Sequence, residues 1–256
     1  MTESVAPSVP VAALGDGVCI QDEDVAAELG FADAGLDASI LPPMVRRRTS
    51  IATRAAITAA ERACAAARTH RKLPAIFVSS AGEMQITDRL CRSIARQEYP
   101  LSPTQFHNSV HNTAAGYWSI ATGSMASMQS MGALEDGFAL GLLEAWCQLQ
   151  TVTDRVLLVV FDEAMPERLL PDYTWKTCAF ALVLDRDTRD GPLIHRPFQQ
   201  TGPDSDPGSS TRDFPLRNPA MAALPLFQAL RKTAAGHRQV ALSSGARPWR
   251  VDVVVP

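Results

Sequence analysis

The sequence is short of several things, and each shortage narrows what it can be. Its five cysteines, Cys19, Cys64, Cys91, Cys147 and Cys178, are odd in number and widely spread. None forms a Cys-x-x-Cys pair, which argues against a disulfide framework or a zinc ribbon. Net charge is nearly absent: 24 basic and 27 acidic residues leave −3. No general attraction to nucleic acid or to an anionic membrane follows. The one local basic run, Arg46-Arg47-Arg48, reads as a solvated face at a helix start. No apolar stretch approaches the ~20 residues that span a bilayer. The first residues lack a charged segment followed by an apolar one, so no signal peptide is expected. The expected location is the cytoplasm, with neither membrane nor nucleic acid as a partner.

Motifs that would bring in a cofactor are missing as well. Gly15-x-Gly17 has no third glycine ahead of a helix, and there is no Walker-type loop. There is no Gly-x-Ser-x-Gly elbow; Ser79-Ser80-Ala81-Gly82 follows a strand-like run but lacks the leading glycine. His107 and His111, four apart, would share one face of a helix. No third ligand or suitably placed Glu accompanies them, so hydrogen-bonding histidines in a packed or interface segment fit better than a metal pair. Glu135 and Asp136 are adjacent, which on a helix points them about 100° apart. Acids in a first turn ordinarily serve the helix dipole. Neither a cofactor nor a metal is expected. Met125, Met128 and Met131 read as adaptable core or interface filler.

What is present is an ordinary globular composition, 46% hydrophobic and 20% charged over 256 residues. Residues 1–10, small and polar with two prolines, read as a flexible start to a single domain over 11–256. Val11 to Ile20 reads as a strand interrupted at Gly15-Asp16-Gly17, and the alanine-rich Val45 to Arg68 as a helix. Leu73 to Ser79 is a short buried strand, and Thr87 to Arg96 an amphipathic helix. Gly132 to Gln150 is the clearest helix, with Leu134, Phe138, Leu142, Trp146 and Leu149 on one face. The continuous apolar runs Arg155 to Phe161 and Thr177 to Leu184 have the pattern of strands covered on both faces. Residues 201–212 are an exposed Gly/Pro/Ser/Asp loop, Pro219 to Ala235 a last helix and Trp249 to Val255 a closing strand. This alternation predicts an α/β fold with helices on both sheet faces.

The segment Leu101 to Gly123, LSPTQFHNSVHNTAAGYWSIATG, is the most distinctive. It resembles the ketosynthase segment in which an Asn, here Asn112, precedes an Ala-Gly pair, here Ala115-Gly116, and an apolar helix upstream of the nucleophile. In its fuller form it resembles the β-ketoacyl synthase-like N-terminal domain family. Pro42-Pro43-Met44, Arg46 to Arg48 and Ser50 resemble that family's lead into its first long helix. Val78-Ser79-Ser80-Ala81-Gly82-Glu83 resembles the next strand-to-turn, and Val156 to Pro166 a strand ending in Asp-Glu-x-x-Pro. The resemblance covers residues 14–184 well and the remainder weakly.

The resemblance implies a thiolase-like half fold with a mixed sheet, and a chain-length-factor-like role in aryl polyene, dialkylresorcinol or related polyketide and fatty-acid-like pathways. Active relatives begin the helix after this segment with a Cys nucleophile, its thiolate favoured by the helix N-terminus. Here that position falls on Leu134 or Glu135, and neither can form a thioester. Cys147 lies about three turns further along the helix. After Phe161 only His195 and His237 remain, in surroundings unlike the family's histidine turns. A complete two-halved subunit takes ~400 residues, well above one domain, so a first half plus an appendage is expected. The implied partner is a full-length β-ketoacyl synthase in a heterodimer, with an acyl carrier protein as a further possible partner. The implied seam or pocket draws on Phe106, His107, Asn108, His111, Asn112, Tyr117, Trp118, Met125 and Met128. Two other readings stand beside it: a serine acyl hydrolase or transferase using Ser79 or Ser80, and a carrier-protein docking module.

Overall fold

The computed structural model describes residues 9–169, 176–200, 218–232, 234–243 and 247–256. The first eight residues, and the loop expected over 201–212, lie outside the described residues.

Two apolar strands form the spine. In β4 (Arg155–Asp162), Val156, Leu158 and Val160 enter one core, while Leu157, Val159 and Phe161 enter the other. β5 (Cys178–Asp185), buried throughout, divides in the same way. A period of two with both faces apolar requires cover on both sides. One side is covered by α7 (Gly137–Thr151) with a 3-10 turn (Pro219–Ala223) and α8 (Leu224–Leu230). The other is covered by α3 (Ile51–Ala66) and α6 (Thr113–Thr122).

Among the described residues the sheet has nine strands in the order β3-β2-β4-β5-β1-β6-β9-β7, with β8 on β9. β2 (Ala75–Val78) runs parallel to both β3 (Met128–Met131) and β4, whereas β5 is antiparallel to β4 and to β1 (Val11–Ile20). The antiparallel extension holds β6 (Leu193–Ile194), β7 (Phe198–Gln199), β8 (Gly236–Ala241) and β9 (Trp249–Val255). The sheet is mixed and carries helices on both faces, as the sequence predicts.

Several boundaries differ from the sequence reading. β1 is not interrupted; it bulges between Ala13 and Gly15 and continues to Ile20. Its glycines serve close approach, since a Cβ on Gly17 would lie 2.0 Å from the Ala59 carbonyl oxygen of α3. The helix expected over Val45 to Arg68 is two, α2 (Pro43–Arg46) and α3. Ser50 separates them by capping: its Oγ accepts from Thr53 N at 2.9 Å. α1 (Glu23–Glu28) and α5 (Pro103–Asn108) are short, and α4 (Met84–Ala95) starts three residues earlier than its apolar spacing suggests. The expected last helix ends at Leu230, and β8 follows it.

Candidate functional site

The parallel strands β2, β3 and β4 end side by side, with Val78 paired to Met131 and to Val160. Ligands of open α/β sheets bind beyond such carboxyl ends. Beyond β2 the chain turns through Ser79 to Glu83, and a buried carboxylate holds that turn. Asp162, 1% exposed, accepts on Oδ1 from Ser79 Oγ at 2.7 Å, Ser80 N at 2.9 Å and Ala81 N at 3.1 Å. Its Oδ2 is buried with no partner among the described residues. Burial pushes the Asp162 carboxyl up to about 6, against the hydrogen bonds from the turn and the nearby His111, which favour its charge.

Two further acids stand beside it. Glu163 accepts from Gln85 N at 2.6 Å, and burial, with Glu83 and Asp162 nearby, pushes its carboxyl up to about 7. Glu83 accepts from Thr53 Oγ1 at 2.5 Å, and burial raises it above its ordinary value. Asn218 ties this end to the C-terminal part: its amide donates to the carbonyls of Asp162 and Lys176, both at 2.8 Å.

The outer rim is built from three loops. His111 Nε2 lies 2.9 Å from the Ser79 carbonyl oxygen, which can only accept, so that nitrogen carries a proton. A Cβ on Gly82 or Gly132 would come within 3.3 Å of its ring. Leu134 opens the 3-10 turn Leu134–Asp136 with φ +44°, is 74% exposed, and accepts on its carbonyl from Ser80 Oγ at 2.8 Å. Glu135 lies in that turn by its backbone.

This arrangement disfavours serine chemistry. Ser79 is buried, its hydroxyl donating to Asp162 and accepting from Gly82 N at 2.8 Å. Ser80 donates to Leu134, and neither hydroxyl bonds to a histidine base. The cysteines offer no substitute. Cys19, Cys64 and Cys178 are buried, and burial pushes the first two thiols up to about 12. Cys91 and Cys147 are exposed on the helices α4 and α7.

The other residues singled out by sequence divide into three groups. Phe106, His107, Asn112 and Met125 are exposed, Met125 to 96%. Asn108, Tyr117 and Met128 are packed: the Asn108 amide donates to the Arg48 carbonyl at 2.6 Å, and the Tyr117 hydroxyl donates to Asn108 Oδ1 at 2.9 Å. Trp118 corrects the expectation of a seam residue. It is 0% exposed, in the core under α3, because α6 turns that face inward against β2. The histidine pair also needs correction. His107 is on α5, edge-on to Tyr117, while His111 lies past the helix end, so they share no helix face. No group of three metal-ligating side chains occurs among the described residues. Sequence reasoning missed Asp162, Glu163, Glu83 and Asn218 as site residues. The available signal was an acid directly following a fully apolar strand.

No curated protein matches the chain. Solved structures do. A ketosynthase (ApeO) in complex with its chain length factor (ApeC) from Xenorhabdus doucetiae matches at 21% identity and TM-score 0.69, over 94% of this chain and 98% of that one. The ishigamide ketosynthase/chain length factor matches at 14% identity and TM-score 0.60, over 87% and 73%. The AntDE:AntF complex, an acyl-carrier protein with its ketosynthase bound to the hexaketide, matches at 12% identity and TM-score 0.72, over 97% and 100%. These likenesses show that the sheet and its helices share the fold of ketosynthase and chain-length-factor structures. A family model for the β-ketoacyl synthase N-terminal domain matches residues 22–250. With a match that runs from just before α1 into the start of β9 and takes in the ends of β2, β3 and β4, the chain belongs to the β-ketoacyl synthase N-terminal domain family.

Proposed function

We propose that this chain is a catalytically inactive, chain-length-factor-like subunit that pairs with a full-length, active β-ketoacyl synthase. The observation that carries the reading is the residue at the head of the β3–α7 connection. A leucine, Leu134, occupies the exposed turn where the family's nucleophile is expected, the Ser79 and Ser80 hydroxyls are engaged in the turn, and Cys178, opposite Asp162 at this end of the sheet, is fully buried. The absence of a nucleophile there leaves shaping and partnering as the remaining roles.

The pairing surface is assigned to the β3 edge of the sheet. β3 is the end strand of the sheet order, so one of its sides offers unpaired backbone groups. Ile120 on α6, which packs on β3, and Met125, just ahead of β3, are exposed apolar residues, to 67% and 96%. Apolar and methionine side chains beside an open edge suit an interface core. A carrier protein delivering acyl groups is the further partner. The setting is polyene or related polyketide and fatty-acid-like synthesis in the cytoplasm; no described helix is long and apolar enough to cross a membrane.

Co-expression with the ketosynthase of its own pathway tests the reading. A one-to-one complex that survives gel filtration and raises this chain's melting temperature is expected. A well-behaved monomer beside every such ketosynthase contradicts it and leaves the docking-module role.

A further inference from the structure

Three carboxyls, Glu83, Asp162 and Glu163, meet beyond the carboxyl ends of β2 and β4, and each is at most 3% exposed. Each ties a different element to one node. Asp162 holds the turn after β2, Glu163 takes the Gln85 N–H at the start of α4, and Glu83 takes the Thr53 hydroxyl of α3. The charges of Glu83 and Asp162 both bear on Glu163. Asp162 Oδ2 and Glu83 Oε2 are buried with no hydrogen-bond partner among the described residues. No lysine, arginine or histidine among the described residues is buried to balance the node.

The groups that face it supply little positive charge. Arg89 on α4 and His111 between α5 and α6 act on it from exposed positions. Cys178 stands opposite Asp162 on β5, and burial pushes its thiol far up, so it stays neutral. Arg54 of α3 is bonded to the Ser50 carbonyl, Asp88 of α4 is paired with Arg92 and Arg168, and Lys176 is paired with Asp22. Three ionised carboxylates in this setting would repel one another and leave two oxygens desolvated without a donor. A bound proton removes that cost.

We propose that Glu83, Asp162 and Glu163 form a proton-operated latch, which holds the rim of the strand ends closed while protonated and releases it when the proton leaves. The parts that move are joined to the turn the latch grips. The Ser79 carbonyl accepts from His111 at 2.9 Å, and Ser80 Oγ donates to the Leu134 carbonyl at 2.8 Å. Opening the turn therefore frees His111 and the connection around Leu134 together, while β4 and β5 stay paired along their full ladder. The direction follows from burial, which pushes the Asp162 and Glu163 carboxyls up to about 6 and about 7. Solvated carboxyls titrate near ~4. Closure is fully favoured below that value and is lost as pH rises towards about 7. The latch belongs to the isolated chain and does not depend on the pairing proposed above.

Hydrogen exchange read by mass spectrometry on the full chain, at about pH 5 and about pH 7 and corrected for the intrinsic chemical rate, tests the latch. Peptides covering 79–85 and 132–137 should open together, with an opening constant that rises about tenfold or more between the two pH values. At both they should open far more often than β5, because the latch opens without unfolding the sheet. Glu163→Gln removes a charge and keeps an acceptor for Gln85 N, so the rise should shrink. Glu83→Gln keeps an acceptor for Thr53 and carries the same expectation. An opening constant for 79–85 that ignores pH in the wild-type chain overturns the latch, as does one equal to that of β5. A rise left whole in both variants also overturns it.

Discussion

Asp162 and Glu163 set the chain's response to pH. Burial raises their carboxyls to about 6 and about 7, whereas in an unfolded chain such groups titrate near ~4. Between those values the folded chain binds more protons than the unfolded one, so stability is greatest on the acidic side and falls as pH rises through the window. The melting temperature should therefore drop between about pH 4 and about pH 7. Glu163→Gln keeps an acceptor for Gln85 N and removes one of the raised carboxyls of the cluster, Glu83 being the third, so it should flatten that slope. A slope unchanged by the substitution would show that the raised carboxyl is not Glu163. Asp185 acts oppositely. Burial alone would raise it, but hydrogen bonds from Thr188 N and the Arg155 guanidinium win and lower it. Its contribution is lost as pH falls below ~4, which closes the stable range from the acid side.

At the scale of elements, the contacts that decide packing are those where backbone meets side chain or backbone. A Cβ on Gly141 would fall 2.6 Å from Val78 Cγ2 and 3.2 Å from Leu158 Cδ1, methyl groups that can shift. A Cβ on Gly17 would fall 2.0 Å from a backbone oxygen of α3, which cannot shift without moving the helix. Gly17→Ala should therefore lose ~3 kcal/mol or more by overpacking. Gly141→Ala should come out near neutral, because the ~1 kcal/mol gain in helix propensity offsets part of the clash. Denaturant midpoints of the two variants give the ranking, and a Gly141→Ala loss exceeding that of Gly17→Ala would reverse the argument. The same contrast explains what the sequence made legible. β4 and β5 are long apolar runs whose burial requires two covered faces, and their bounds follow within about two residues. β3 is four residues, Met128–Met131, with no β-branched side chain, and β8 opens Gly-His-Arg-Gln; neither has a composition that predicts a strand. The site was half legible. The turn after β2 and the acids after β4 stand out as motifs, but only the parallel pairing of the strands brings Asp162 under Ser79.

If the molecule is one half of a pair, as proposed, substitutions at its surface and core should part company accordingly. Trp118 is inside, so Trp118→Glu places an unpaired charge in the core and should unfold the isolated chain. Met125→Asp, at a side chain 96% exposed, should leave the isolated melting temperature within about 1 °C while breaking the complex with the ketosynthase. Loss of fold in the second variant, or of the complex alone in the first, would show that the seam has been drawn in the wrong place. The central claim, an unreactive subunit bound to a reactive one, is tested most directly by native mass spectrometry of the reconstituted pair after exposure to acyl-loaded carrier protein. The account predicts a one-to-one complex that bears an acyl group on the ketosynthase and none on this chain. An acyl adduct on this chain, on any of its cysteines or on Ser79 or Ser80, would contradict it.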